Sequence, residues 1–230
     1  MRLSKKRRRQ KQKAENNLPW AYKKILMKKS EAADLFDKQT ELLKLVRHIG
    51  LTYLPLHSDV TYAVKQWQND PSQFWSRTSI RCICAAVEAK LFAFRKTAEK
   101  MVILSRIEFD PKEIEILTEK RIVEINGIQT TRPKFLPFPD SLKESFRLFA
   151  KAAGTTVVVD YGDIFTDLCK TFEVRNRLMH PKQPFDVQVS MEDINTADRG
   201  IIWFDKTSTS VTDQCHAHFG KNIANLRKRS

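Results

Sequence analysis

Residues 82–94 of this 230-residue chain, CICAAVEAKLFAF, constrain its fold most, because wound as a helix they are apolar in nearly every direction. Ile83, Ala86, Val87, Leu91, Phe92 and Phe94 cover most of the wheel. A helix of this kind cannot lie at a surface, so other elements must pack around it. No apolar run in the chain approaches the roughly 18 residues that suggest a membrane span, which leaves the centre of a helical bundle. Asp70-Pro71 offers a cap followed by a first-turn proline, and the pattern predicts a long helix from there to about Leu104. Its remaining polar residues, Arg77, Arg81, Glu88 and Arg95, fall within about 40° of one another. They are either a solvated edge held by charge pairing or, with Glu88 and an arginine, the lining of a polar site.

The rest of the chain also reads as mainly helical. Leu35, Leu42, Leu45, Val46 and Ile49 recur at three- and four-residue spacing from Ser30 until Gly50, and a shorter helix is expected over 58–69. Residues 111–120 suggest another short helix. In RIVEINGIQ the Asn126-Gly127 pair between alternating apolar residues predicts a hairpin-like excursion. TTRPKFLPFPD, with three prolines between 133 and 139, reads as a loop. Asp140 or Ser141 then caps a helix that Gly154 ends, and two more helices are expected over 162–180 and, opened by Ser190 and Asp193, over 191–218.

Charge is distributed unevenly. The formal net charge is +14, of which residues 1–29 carry +11, with twelve Lys or Arg against Glu15 alone. Residues 1–17 have almost no apolar side chains to offset ordering entropy, so the sequence predicts a flexible basic arm. Such an arm either contacts phosphates of RNA or DNA or simply solubilises the terminus. Without an apolar leader or span, the expected location is the cytoplasm, with no membrane partner. Cys82, Cys84, Cys169 and Cys215 form no CxxC pair and sit in apolar stretches, so they read as reduced packing residues. Cys82 and Cys84 lie about 200° apart on a helix and cannot jointly hold a metal.

The helix over 162–180 breaks its own pattern. With Ile164 at zero, Leu168, Met179, Phe172, Phe165 and Cys169 fall between about 40° and 140°, defining an apolar stripe. Arg175 at about 20° and Asn176 at about 120° lie inside that stripe, and His180 at about 160° lies on its margin. An unpaired guanidinium there is costly, so Arg175 requires a partner, a wet cavity or a subunit interface. An ion pair with Glu88 or Asp160 is one solution. Asn176 and His180, four apart, share a face, so the amide can orient the imidazole. Pro181 forces the helix to end there. His180 is alternatively a helix-end histidine that complements the dipole. Arg177 reads as a surface charge paired with Glu173.

Arg175-Asn176-Arg177-Leu178-Met179-His180 resembles the signature of the HEPN superfamily, an arginine and a polar residue followed, after four to six residues from the arginine, by a histidine. The similarity covers about residues 70–220. It implies an up-and-down helical bundle with a small hairpin-like insertion, preceded by the arm (1–17) and a helical extension (18–69), and followed by a basic tail (221–230). It also implies a metal-independent endoribonuclease working as a homodimer, in which His180 handles protons, Arg175 stabilises phosphate charge and Asn176 holds the site in geometry. Glu88 is a secondary site candidate. No cofactor or metal is called for; RNA and a second copy are the expected partners, with an antitoxin or partner protein if the setting is toxin or defence. Non-catalytic members imply the rival expectation, a module that binds nucleic acid or a partner protein.

Overall fold

A computed structural model describes residues 20–104, 107–125 and 128–229. The chain is mainly α. In order it forms α1 (Trp20–Asn69), α2 (Gln73–Leu104), α3 (Pro111–Thr118), strands β1 (Lys120–Ile125) and β2 (Ile128–Pro133), α4 (Phe138–Ala152), α5 (Asp163–Met179), a 3-10 turn (Pro184–Val187) and α6 (Met191–Arg229). The basic arm at 1–17 lies outside the described residues.

α2 is the centre of the molecule, with α1, α3, α4, α5 and α6 all packed against it. Its all-round apolar segment explains why: Ile83, Ala86, Val87, Leu91 and Phe94 are each buried. Phe94 makes edge-on contacts with Phe146 and Phe149 of α4, at ring-centroid distances of 5.3 and 4.8 Å, a geometry favoured by the ring quadrupoles. Cys84 is buried in this core and Cys82 half-buried beside it. Among the described residues no helix is long and apolar enough to cross a membrane.

Several expectations change. The N-terminal region is one helix of 50 residues, with no end at Gly50. Glycine and proline in a helix interior cost about 1 and about 3 kcal/mol relative to alanine, and both Gly50 and Pro55 lie inside. However, Val46, Ile49, Tyr53, Val60 and Ala63 form one buried stripe that passes both positions, and packing outweighs local propensity. Val46, Ile49, Tyr53 and Val60 belong to the same hydrophobic core as α2, α4, α5 and α6.

Asp70 does not open α2. Its N–H still bonds the carbonyl of Gln66 at 2.8 Å, so it closes α1, and α2 begins at Gln73. Further along, β2 takes up residues expected as loop: Thr131, Arg132 and Pro133 pair with Ile122, Arg121 and Lys120 in an antiparallel register. The turn residues Asn126 and Gly127 lie outside the described residues. α4 starts at Phe138, ahead of the expected caps, because Pro139 in the first turn has no N–H that needs one. At the other end α6 continues through the segment expected as a basic tail, as far as Arg229. Gly220 lies inside it without ending it.

The helix that carries the motif is held closely to α6. A Cβ built on Gly200 would sit 2.9 Å from the Cα of Leu168, so only glycine lets α6 approach the backbone of α5 this closely. Ser190 and Asp193 form the expected capping box of α6, with Asp193 N–H donating to Ser190 Oγ at 3.1 Å and Ser190 N–H to Asp193 Oδ2 at 2.9 Å.

Candidate functional site

The buried face of α5 consists of Phe165, Leu168, Thr171, Phe172, Val174 and Leu178. At 100° per residue this face centres near Arg175, about 60° short of the stripe read from the sequence. Val174 and Leu178, which that reading passed over, define its other edge. Ile164 and Met179, expected inside, are exposed although both fall within this arc; they lie in the first and last turns of the helix. Arg175 stands in the middle of the buried face and Asn176 stands outside it.

Arg175 is accommodated by an ion pair. Its Nη2 donates to Oε1 of Glu88 on α2, and its side chain is 28 % exposed against 49 % for Glu88. Nη1 donates to Oδ1 of Asn176 at 3.0 Å. The carboxamide is therefore turned toward the guanidinium and not toward His180, since an oxygen gains more from a charged donor than from a neutral ring. The guanidinium also lies 5.8 Å from the Phe172 ring centroid.

Arg175, Asn176 and Glu88 line one cleft of about 530 Å³. Its far side holds a second Arg–Glu pair that the sequence did not single out. Arg95 is only 7 % exposed. It donates to Glu119 Oε1 at 2.8 Å and to Ser145 Oγ at 2.8 Å. Burial pushes its pKa down and Glu119 pulls it back up. Glu119 adopts the left-handed conformation, φ 54°, at the end of α3. The polar stripe of α2 is thus not a uniform solvated edge: Glu88 and Arg95 face the cleft, while Arg77 donates to the Val187 carbonyl at 3.3 Å.

His180 sits apart. It is the C-terminal cap of α5, its N–H donating to the carbonyl of Asn176 at 3.0 Å, and its exposed ring is not part of the cleft lining. Pro181 ends the helix there, and the segment that follows is pinned in place. Arg177 does not pair with Glu173. It reaches across to Asp193 at 3.3 Å and donates to the carbonyl of Gln188 at 2.8 Å. Gln73 adds a two-sided clamp, donating to the Val189 carbonyl and accepting from the Val189 N–H, both at 2.9 Å. These contacts bring Phe74, Met179, Phe185, Val187 and Met191, all exposed, to the same end of the bundle as His180.

Chemically, the cleft offers two guanidinium groups, each already balanced by a carboxylate, and the histidine that caps the same helix stands outside it. Among the described residues no group of three or more His, Cys, Asp or Glu is placed to hold a metal. Compared with protein-family models, with curated proteins and with solved structures, the chain matches none.

Proposed function

We propose that this chain is an HEPN-like endoribonuclease that cleaves RNA without a metal and acts as a homodimer. The observation that carries the reading is the direct coupling of Arg175 to Asn176 in a cleft that both line, with an exposed histidine closing the same helix. The chemistry is coherent. An imidazole titrates near neutrality and takes the proton of a ribose 2′-OH. The 2′ oxygen attacks phosphorus, the bond to the 5′ oxygen breaks, and a 2′,3′-cyclic phosphate remains. Arg175 offers two hydrogen bonds to the developing phosphorane oxygens. Asn176 fixes the guanidinium, in keeping with its observed contact. Two copies facing one another supply two histidines, one to remove a proton and one to return it. The exposed apolar residues beside His180 support such a pairing.

A second reading has its own observation. Arg175 already has a carboxylate partner in Glu88, and His180 does not line the cleft. Both facts favour a non-catalytic module of the same kind, in which the pair is structural and nucleic acid or a partner protein is bound elsewhere.

The deciding experiment incubates wild type and His180→Ala with mixed RNA in excess EDTA and maps the fragment ends. Cyclic-phosphate ends that disappear in a folded variant establish the nuclease. Intact RNA with folded wild type leaves the binding module.

A further inference from the structure

Between α1, α2 and α6, away from the Arg175 cleft, lies a polar cluster that the endoribonuclease reading does not use. Tyr53 donates its hydroxyl to Asp205 Oδ1 at 2.6 Å, and Nε2 of His57 lies 3.1 Å from Asp205 Oδ2. Both carboxylate oxygens are therefore engaged. Beside them is Lys90, which faces the same space from the central helix and is only 6 % exposed. Its Nζ lies 4.1 Å from the centroid of the Tyr53 ring and 5.8 Å from that of Phe204. Among the described residues it donates no hydrogen bond.

An ammonium carries three donors and no acceptor, and burying it with none of them used is costly. The Tyr53 ring face offsets part of that cost. Burial lowers the lysine's pKa, and Asp205 opposes the shift. An acceptor would meet these donors, and an anionic one fits best: each oxygen of Asp205, the one carboxylate in the lining, already has a partner, while Arg47 adds a further cation. The space itself is a cleft of about 470 Å³, within the roughly 300–1,000 Å³ typical of small-molecule sites. One wall is apolar, formed by Leu51 and Leu54, both well exposed. Its lining includes the exposed Gly50, where a Cβ would meet nothing within 4 Å.

We propose that this cleft binds a small organic anion, with its carboxylate or phosphate group held by Lys90 and Arg47 and its apolar body laid against Leu51 and Leu54. The site does not depend on the endoribonuclease reading, and its test involves no RNA.

The test is trace acetylation of the full chain at pH ~8, with each lysine followed by mass spectrometry, in the presence of inorganic phosphate, hexyl phosphate or hexanoate. A bound anion slows labelling of Lys90 about tenfold at about ten times Kd, since mass action leaves about a tenth of the sites open. Labelling of exposed Lys65 is unchanged. Protection by hexanoate alone identifies a carboxylate ligand, by hexyl phosphate alone a phosphate ester, and stronger protection by hexyl phosphate than by inorganic phosphate supports the apolar wall. Gly50→Leu fills the cleft without touching a polar group and abolishes protection while the fold persists. This variant keeps the test decisive even if Lys90→Met does not fold. Labelling of Lys90 that no probe slows, or that slows equally at Lys65, overturns the proposal and leaves water as the lysine's partner.

Discussion

Arg175 reaches from α5 to Glu88 on α2, eighty-seven residues earlier in the chain, and with its other terminal nitrogen holds Asn176 at 3.0 Å. A phosphate approaching Arg175 must therefore compete with a carboxylate already in place. Glu88→Gln removes that competitor while keeping the shape. RNA binding, measured by fluorescence anisotropy at low salt, is expected to tighten. The thermal midpoint should barely move, because a pair this exposed contributes about 0–1 kcal/mol. Unchanged binding would place the RNA contact elsewhere.

Residues 1–17 contain eight Lys or Arg against one Glu. If they contact phosphates, deleting them flattens the dependence of log K on log salt, which scales with the number of cations engaged. The folded part should melt as before, since among the described residues the buried core begins at Val46. An unaltered salt slope would leave the segment a solubilising terminus.

Gly200→Ala tests the α5–α6 crossing. Helix propensity alone favours alanine by about 1 kcal/mol, but the added methyl meets the backbone of Leu168 at 2.9 Å, which cannot rotate away. Overpacking of this kind costs about 1–3 kcal/mol, so a net loss is expected in urea unfolding. A gain would mean that the two helices part freely.

Glu113 on α3 should make the fold acid-sensitive. Burial by itself raises its pKa, but hydrogen bonds from Lys151, Arg147 and the backbone of Asp110 outweigh it and bring the carboxyl down to about 2. A carboxyl depressed in the folded state contributes its stability above the unfolded pKa of about 4.3. That contribution is lost as pH falls through about 2. Wild type and Glu113→Gln should therefore differ in unfolding free energy at pH 7 and converge between pH ~4 and pH ~2. Parallel pH profiles would show that the cluster around Glu113 contributes nothing ionic.

Arg177→Ala removes the contacts to Asp193 and to the Gln188 carbonyl together. Faster amide exchange is expected in residues 183–190, with α2 unaffected. Equal protection in the variant would assign the order of this segment to Gln73 and Val189 alone.

Much of the fold was legible in the chain. The apolar run at 82–94 marks the central helix because a helix that is hydrophobic all round has no stable place except among others. The Ser190–Asp193 capping box and the Asp110-Pro111 start of α3 are local chemistry, readable from four residues. Likewise, an arginine on the inner face of the 162–180 helix required a partner, and Glu88 was one of two acids offered.

What the sequence could not decide depends on contacts between distant segments. Whether Gly50 and Pro55 end a helix is settled by a buried stripe that runs past both, and the strength of that stripe depends on α2 and α6. The angle at which α5 meets its neighbours set the buried face and left Arg175 at its centre, while Met179, in the last turn, stayed exposed. Asn176 turned to Arg175 because the arginine was fixed by Glu88, and His180 stayed outside the cleft. Lys90 shows the limit most plainly. In the sequence it is one polar residue on an apolar helix, and only the arrival of Tyr53 and Asp205 from two other helices makes it the buried cation of a second cleft.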